Sequence, residues 1–323
     1  MKKLLAFTAG IALAAGLATT VSAQEITLRA VSFIPKNNPI LVPANNWVAE
    51  VNQAMKGKLQ INWVGGSEVI PRNQLLEAVR TGVLDIAITV TADYQDQFLP
   101  APAYWLSRLS PSEERKSGFF NYMVDEHKKL NVQLVGRLQM SPFYLWVKKE
   151  PKSLADLKGL KMRTASLYDR FMRELGMTPV NINAPETFTA LEGGVVDGLG
   201  WPPQGVKAQG WSKHVKYAID LPFFEWSNTV ALVNLPKWNT LPEPTRKELS
   251  ELTAAFEPKM VKYFRDQIED EWKALAAEGV KRVKFSDAEN KKYLDTAYDV
   301  EWKALSAKLP PDIVAKLKQI SGN

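Results

Sequence analysis

The pattern of hydrophobic and polar positions over residues 159–198 predicts two strand–helix units side by side. Alternation over Leu160–Thr164 is typical of a strand, and the helical spacing that follows it ends at Gly176. A second short strand is expected over Thr178–Ile182, and Pro185 begins a second helix that two consecutive glycines end. This alternation of strand and helix indicates an open α/β sheet.

Arg163 lies near the end of the first of these strands. Ligands of open α/β sheets bind outside the carboxyl ends of the strands, and a guanidinium can hold a carboxylate through two parallel hydrogen bonds. Arg163 is therefore our candidate for a carboxylate-binding residue. The alternative interpretation is a surface arginine that pairs with Asp169 or Glu174.

The first part of the chain shows the same alternation of strands and helices. Strands are expected at Ile26–Phe33, Leu59–Val64 and Asp85–Thr91, and helices at Asn45–Met55 and Gln74–Thr81. The loops after these strands are candidates to face a cleft, and they contain Phe33, Glu68, Thr91 and Tyr94. For Glu68 the alternative role is a cap or a solvent-exposed turn residue.

A short repeat links the two parts of the chain. Residues 78–85 and 190–197 both read A-Φ-x-x-G-Φ-Φ-D, where Φ is hydrophobic. Each copy predicts a helix that a glycine ends before a strand begins, so we expect equivalent corners in two halves. The alternative is a coincidence between two common helix-to-strand turns.

The middle of the chain is expected to cross between two lobes. Gly136 follows a predicted strand and suits a hinge, and Arg137 is a second positive charge that could lie near a ligand. The alternative for Arg137 is a structural salt bridge. Residues 228–235 are expected to form a return strand, and the sequence from Ser110 to Glu113 predicts a helix start with a capping box.

The C-terminal part is helical and charged. A helical pattern runs from about Thr245 to Ala277, and Pro258 is expected to interrupt it. A second capping box begins at Ser286 and leads into another helix. The tryptophans of the repeated Glu-Trp-Lys-Ala-Leu segments, Trp272 and Trp302, are expected to be packing anchors.

Composition narrows the class of protein. Residues 1–23 combine a charged start, an apolar middle and a small-residue end, which is typical of a cleaved secretory signal peptide. The chain has 323 residues, of which 46% are hydrophobic, so two cores are expected. It has no cysteine, which excludes disulfides and thiolate metal sites. The net charge of +6 is mild for this length and does not favour nucleic-acid binding.

An enzyme is the rival class, but its motifs are not found. The two histidines, His127 and His214, do not lie in a nucleophile or carboxylate pattern, and the P-loop, G-x-S-x-G, H-E-x-x-H and G-x-G-x-x-G motifs are absent. Asp85 and Asp197 could serve as an acid–base pair, but each lies in a turn where a capping role is expected. We therefore predict no enzymatic activity.

Residues 161–202 resemble the signature region of the DctP-like solute-binding proteins of TRAP transporters. The family pattern contains a K-x-R strand, a G-x-x-P-V strand, a helix ending in A-L-x-x-G-x-V-D-G, and a proline. The matching positions here are Lys161, Arg163, Gly176, Pro179, Val180, Ala190, Leu191, Gly194, Val196, Asp197, Gly198 and Pro202. In that family the strand arginine forms a salt bridge with the ligand carboxylate, and the resemblance implies this role for Arg163. The resemblance also implies that a G-x-E-x-x-P loop, here with Glu68, lies beside the ligand.

The resemblance implies an α/β, two-lobed periplasmic binding protein fold (a Venus flytrap) with a long helix spanning both lobes. We expect residues 24–148 and about 228–260 in lobe I, residues 149–227 and about 280–323 in lobe II, and the spanning helix over about 258–278. The complete set of candidate ligand-binding residues is Phe33, Glu68, Thr91, Tyr94, Arg137, Arg163, Asn183, Trp201 and Trp226.

The function that the resemblance implies is that of a periplasmic subunit which captures an organic acid and delivers it to TRAP membrane permease subunits. We expect a monomer without a cofactor. A binding protein that presents its closed form to a sensor kinase is the alternative class.

Two departures from the family pattern bear on the ligand. Sialic-acid and dicarboxylate members commonly have Gln-Glu-Asn-Pro after V-D-G, whereas this chain has Leu-Gly-Trp-Pro. Gly200 offers no carboxylate where metal-using members carry one, so no metal is expected. Trp201 favours an aromatic or otherwise hydrophobic monocarboxylate. A sugar acid (uronate or aldonate), a small dicarboxylate and a sulfonate are the alternatives.

Overall fold

The structure, a computed structural model, describes residues 25–227 and 229–323, and these ranges form two mixed β-sheets with helices packed around them. In chain order, the strands are β1 (Ile26–Ser32), β2 (Leu59–Gly65), β3 (Ile86–Val90), β4 (Val132–Gln139), β5 (Tyr144–Val147), β6 (Lys161–Thr164), β7 (Thr178–Asn181), β8 (Gly198–Trp201), β9 (Tyr217–Ile219), β10 (Thr229–Asn234) and β11 (Lys281–Val283). The α/β prediction is confirmed.

The helices lie mostly between the strands, as the sequence pattern indicates. They are α1 (Val42–Ala54), α2 (Leu75–Arg80), α3 (Ala103–Leu106), α4 (Pro111–Ser117), α5 (Phe119–Lys128), α6 (Asp169–Glu174), α7 (Thr187–Glu192), α8 (Leu235–Thr240), α9 (Glu243–Ala277), α10 (Asp287–Ser306) and α11 (Pro311–Ile320). Ser110 begins α4 with the predicted capping box, which Glu113 completes.

Each sheet forms the centre of one lobe. The sheet of lobe I has the order β2-β1-β3-β10-β4, in which β1 is parallel to β2 and β3, and β10 is antiparallel to β3 and β4. The sheet of lobe II has the order β11-β9-β5-β8-β6-β7, in which β6 is parallel to both β7 and β8. The carboxyl ends of β1, β3, β6 and β8 therefore lead into the loops where a ligand of an α/β sheet is expected.

The repeated sequence motif forms equivalent corners in the two lobes. Gly82 and Gly194 end α2 and α7 with positive φ angles of 81° and 70°, which glycine adopts without steric cost. Asp85 then accepts a hydrogen bond of 2.8 Å from a backbone N–H of β1, and Asp197 accepts one of 2.9 Å from the first N–H of β6. The predicted correspondence is confirmed, and both aspartates have the capping role rather than a place in an acid–base pair.

Helix α9 contacts both lobes. In the first half of α9, Thr253 Oγ1 accepts a hydrogen bond of 3.0 Å from the indole N–H of Trp47 in lobe I. Near its end, Trp272 stacks on Trp146 of lobe II, with ring centres 5.1 Å apart. Pro258 removes one backbone donor, but the helix continues through it. The spanning helix is therefore longer than the predicted range of about 258–278.

Two parts of the chain lie in a different lobe from the predicted one. Strand β5 falls in the range assigned to lobe I, but it pairs with β8 and β9 in lobe II. Helix α11 was expected in lobe II, but its last residue, Ile320, accepts a hydrogen bond of 2.6 Å from Ser117 Oγ of lobe I. Its buried Val314 and Leu317 give it an apolar face that either lobe could cover, and sequence alone does not specify which.

The predicted signal peptide, residues 1–23, lies outside the described residues. No helix within residues 25–227 or 229–323 is long and apolar enough to cross a membrane.

Candidate functional site

Arg163 of β6 is completely buried. Its Nε donates to the Ile182 carbonyl at 2.9 Å, and its Nη1 donates to the Tyr168 hydroxyl at 3.0 Å. Its Nη2 has no hydrogen-bond partner among the described residues. Burial lowers the pKa of Arg163, Tyr168 opposes this effect, and the nearby positive charge of Arg72 lowers the pKa further. A buried guanidinium with an unused donor is costly unless an anion joins it.

Tyr168 fixes the position of this guanidinium. Its hydroxyl accepts from Arg163 and donates to the carbonyl of Gly200 at the end of the neighbouring β8. A Cβ atom at position 200 would lie 2.6 Å from the Tyr168 ring, so glycine is required for this close approach. Burial raises the pKa of Tyr168, which keeps the hydroxyl protonated and able to donate.

Trp201 covers the arginine from the other side. The guanidinium carbon of Arg163 lies 5.0 Å from the Trp201 ring centre, a distance typical of a cation–π contact. The indole N–H donates to the Gln204 carbonyl at 3.2 Å, and the ring meets Trp211 edge to face at 5.2 Å. Trp201 is therefore held in place by protein contacts and presents its ring to both Arg163 and an adjacent cavity.

This cavity lies between the two lobes and is mostly apolar. It is lined by Phe33, Ile40, Arg72, Val90, Ala92, Gln139, Phe143, Ala165, Leu167, Tyr168, Trp201, Pro202 and Ser227. The cavity is narrow, with a volume of about 30 Å³. Hydrogen bonds across the cleft, such as Asn38 to Gln209 at 3.4 Å and Gln95 to the Ser166 carbonyl at 3.3 Å, hold the lobes together.

A salt bridge forms part of the cavity wall in lobe I. Arg72 donates from Nε and Nη2 to the two carboxylate oxygens of Asp93, each at 2.6 Å. The guanidinium also lies over the Phe33 ring, 5.3 Å from its centre. Sequence reasoning missed Arg72, Asp93 and Tyr168 as site residues. The available signal was their position, because all three lie in loops or turns that follow strands at the expected ligand edge.

A wider polar cleft lies outside the cavity. It has a volume of about 700 Å³, and Arg72 lines both spaces. Glu68 and Asn183 lie on this outer cleft rather than on the cavity. Glu68 is exposed and accepts a hydrogen bond of 2.6 Å from the Gly66 N–H, which is the turn-capping role given above as its alternative.

Four further predicted site residues line neither the cavity nor the outer cleft. Arg137 donates from Nη1 to Glu114 at 2.7 Å, and both side chains are buried in lobe I. The Tyr94 hydroxyl is bonded to His127 at 3.0 Å within the core. Thr91 is buried and Trp226 is half-buried, and neither lies on the cavity wall. Phe33 and Trp201, by contrast, line the cavity. Arg163 contacts two residues of the cavity wall, Tyr168 and Trp201.

Within the described ranges, no group of three or more His, Asp or Glu side chains is arranged to hold a metal ion.

Comparison with known proteins gives a family. The sequence model of DctP, described as bacterial extracellular solute-binding protein family 7, matches residues 30–103 and 117–308. A monocarboxylate 2-oxoacid-binding periplasmic protein of Nostoc sp. is 26% identical over 271 residues, which are 78% of this chain and 72% of that protein.

Solved structures show the same fold. The Bordetella pertussis extracytoplasmic solute receptor DctP7, which binds pyroglutamic acid, superposes with a TM-score of 0.81 at 20% identity, covering 92% of this chain and 99% of that one. A TRAP transporter solute-binding protein of Bordetella bronchiseptica with calcium and picolinate has a TM-score of 0.80 at 24% identity, covering 93% of each chain. The two-lobed fold is therefore confirmed, and the chain belongs to the DctP family of bacterial extracellular solute-binding proteins.

Proposed function

We propose that this protein is the periplasmic solute receptor of a TRAP-type transporter, and that it captures a small organic monocarboxylate with Arg163 and delivers it to the membrane permease. The observation that carries the proposal is the buried Arg163 guanidinium, whose Nη2 has no partner among the described residues. A ligand carboxylate would supply both the missing acceptor and the missing negative charge.

The apolar lining supports a hydrophobic or aromatic ligand body. Four aromatic side chains surround this narrow space: Phe33, Phe143, Tyr168 and Trp201. Offset stacking adds about 0.5 to 1.5 kcal/mol to the burial of a flat ring. A sugar acid would need a polar partner for each hydroxyl, and the cavity wall offers few: Gln139, Ser227, Tyr168 and Arg72, which already donates to Asp93.

Relatives support the same chemical class without fixing the ligand. The Nostoc relative is named for monocarboxylate 2-oxoacids, and the two Bordetella structures hold pyroglutamic acid and picolinate. A further structural neighbour, from Haemophilus influenzae, holds L-gulonate, so a sugar acid remains the second candidate. A Kd of about 1 μM corresponds to about 8 kcal/mol. Charge-assisted hydrogen bonds of about 1.5 to 3 kcal/mol each, together with ligand burial, can supply this free energy.

Export and partners follow from the same proposal. Residues 1–23 would be removed on export, and the mature protein would work in the periplasm as a monomeric binding subunit rather than as an enzyme. Closure of the two lobes around the acid would present a surface that the permease recognises.

The test is calorimetry of the mature protein against a panel of organic acids, first with the wild type and then with Arg163→Ala. We expect the variant to lose about 3 to 5 kcal/mol of binding free energy, a hundredfold or more in Kd, because the ligand carboxylate is left buried without its partner. Arg163→Lys should also bind weakly, since it lacks the two-pronged geometry.

Arg173→Ala is the matched control. Arg173 is an exposed arginine of α6 that pairs with Asp169 on the surface, so its loss should leave the affinity unchanged. Wild-type affinity in a folded Arg163→Ala protein would contradict the proposed function.

A further inference from the structure

The salt bridge between Arg72 and Asp93 joins two loops at the ligand edge of lobe I. Arg72 follows β2 and Asp93 follows β3, the two strands on either side of β1, so the pair lies at the edge where the carboxyl ends of these parallel strands meet. Both hydrogen bonds are short, at 2.6 Å, and the side chains are only 17% and 10% exposed. A two-pronged pair in so little solvent is much stronger than an ordinary surface ion pair.

Arg72 occupies a position from which it could bind a ligand. It lines the small cavity as well as the outer cleft, and it lies over Phe33, which also lines the cavity. Its charge is close enough to Arg163 to contribute to the lowered pKa of that residue. Arg72 belongs to lobe I and Arg163 to lobe II, so a ligand between the lobes would meet one arginine on each side.

The charge balance differs between the two arginines. Arg163 has no carboxylate within salt-bridge distance in the part of the chain that the structure describes, whereas Nε and Nη2 of Arg72 both donate to the Asp93 carboxylate. Among the described residues that line the cavity, Arg72 is the one with a formal charge. The two arginines and Asp93 together leave a single uncompensated positive charge for a ligand.

We propose that Asp93 determines the charge selectivity of the site: by occupying Arg72, it restricts the receptor to ligands with one carboxylate. A second ligand carboxylate would find the Nε–Nη2 edge of Arg72 taken and its charge balanced by Asp93, and it would face the negative charge of Asp93. Without that charge, Arg72 would be free to receive a second carboxylate from the lobe I side. This inference rests on the proposed function, because it assumes that Arg163 binds the first carboxylate.

The test compares a monoacid with a diacid on the same ring. Benzoate and benzene-1,3-dicarboxylate are titrated into the wild type and Asp93→Asn, and the ratio of their two Kd values is the readout. We expect the wild type to prefer benzoate by at least tenfold, and we expect Asp93→Asn to reduce that preference at least tenfold. Pentanoate and glutarate form a second pair of probes for a flexible ligand body.

Two further variants separate charge from structure. In the double variant Arg72→Gln with Asp93→Asn, the net charge is that of the wild type, so the preference for the monoacid should be retained even though the salt bridge is lost. Asp96→Asn removes a neighbouring aspartate whose side chain is 90% exposed, and it should leave the preference unchanged.

The outcomes distinguish this inference from the function on which it rests. If no acid binds the wild type, or if binding survives Arg163→Ala, the proposed function is wrong. If monoacids bind through Arg163 but Asp93→Asn keeps the wild-type preference, only the role of Asp93 is wrong. The proposed role of Asp93 would also be wrong if the double variant gained as much diacid affinity as Asp93→Asn. The second carboxylate would then bind without Arg72.

Discussion

Glu301 provides a test of the electrostatics outside the cavity. Its side chain in α10 is fully buried, and its carboxylate pairs with Arg170 of α6 at 2.7 Å. Burial raises the pKa of Glu301 from 4.5 to about 7, although Arg170 opposes the effect. The folded protein therefore holds a proton at Glu301 that the unfolded chain releases between pH 4.5 and 7. The contribution of Glu301 to the free energy of unfolding must therefore fall as the pH rises through this window.

The size of the effect follows from the two pKa values. A rise from 4.5 to about 7 corresponds to about 3 kcal/mol, of which about 2.5 kcal/mol falls between pH 5 and pH 8. Buried His127 has the opposite dependence, because burial lowers its pKa to about 4, and it destabilises the fold as the pH falls below 6.5. The pH profile of the wild type alone would therefore mix the two contributions.

The assay is urea unfolding of the wild type and Glu301→Gln at pH 5 and pH 8, followed by tryptophan fluorescence and far-UV circular dichroism. Coincidence of the two signals shows whether a single unfolding free energy describes both lobes. Because both proteins contain His127, its contribution cancels in their difference. We expect Glu301→Gln to gain about 2.5 kcal/mol relative to the wild type between pH 5 and pH 8.

Glu251→Gln serves as the control, since Glu251 is an exposed carboxylate of α9 and its removal should leave the wild-type pH dependence in place. A difference between the wild type and Glu301→Gln that is the same at both pH values would refute the reasoning.

Two further predictions concern the cavity wall. Gly200→Ala should lower ligand affinity at least tenfold and reduce the melting temperature. The new Cβ would lie 2.6 Å from the Tyr168 ring and displace the Tyr168 hydroxyl from Arg163. Calorimetry that returns wild-type affinity for the folded variant would contradict this. Trp201→Ala should weaken benzoate far more than propionate, because only the ring loses a stacking partner. Equal losses for the two acids would show that Trp201 supports the fold without contacting the ligand body.

Local sequence signals predicted much of the fold. The capping box at Ser110 and the two glycine turns that end α2 and α7 depend on residues a few positions apart, and the structure has all three. Arg163 could be selected because its strand, the strand end and the family resemblance all lie in one continuous segment. These features share short separations along the chain, where the pattern of residues determines the contacts directly.

The remaining features depend on partners that are distant in sequence. Arg137 is bonded to Glu114, which lies 23 residues earlier, and the alternative of a salt bridge could not be chosen from sequence alone. Tyr168 is held by a carbonyl 32 residues away, and Arg72 by a carboxylate 21 residues away in another loop. Which charged group finds which partner is decided by how the strands are ordered in the sheet. Residue pattern does not specify that order.

The composition of the cavity wall limits how strongly a ligand can drive closure. Lobe I contributes Phe33, Ile40 and Val90 to the wall, so a ligand bound first to Arg163 gains their contact only when the lobes close. If that contact buries about 100 Å² of apolar surface, it contributes about 2.5 kcal/mol. Moving an equilibrium from 1:99 to 99:1 needs about 5.5 kcal/mol. Cross-cleft hydrogen bonds such as Gln95 to Ser166 do not require a ligand and must therefore reduce the initial preference for the open form. A small acid can then complete the closure with the contacts that this cavity offers.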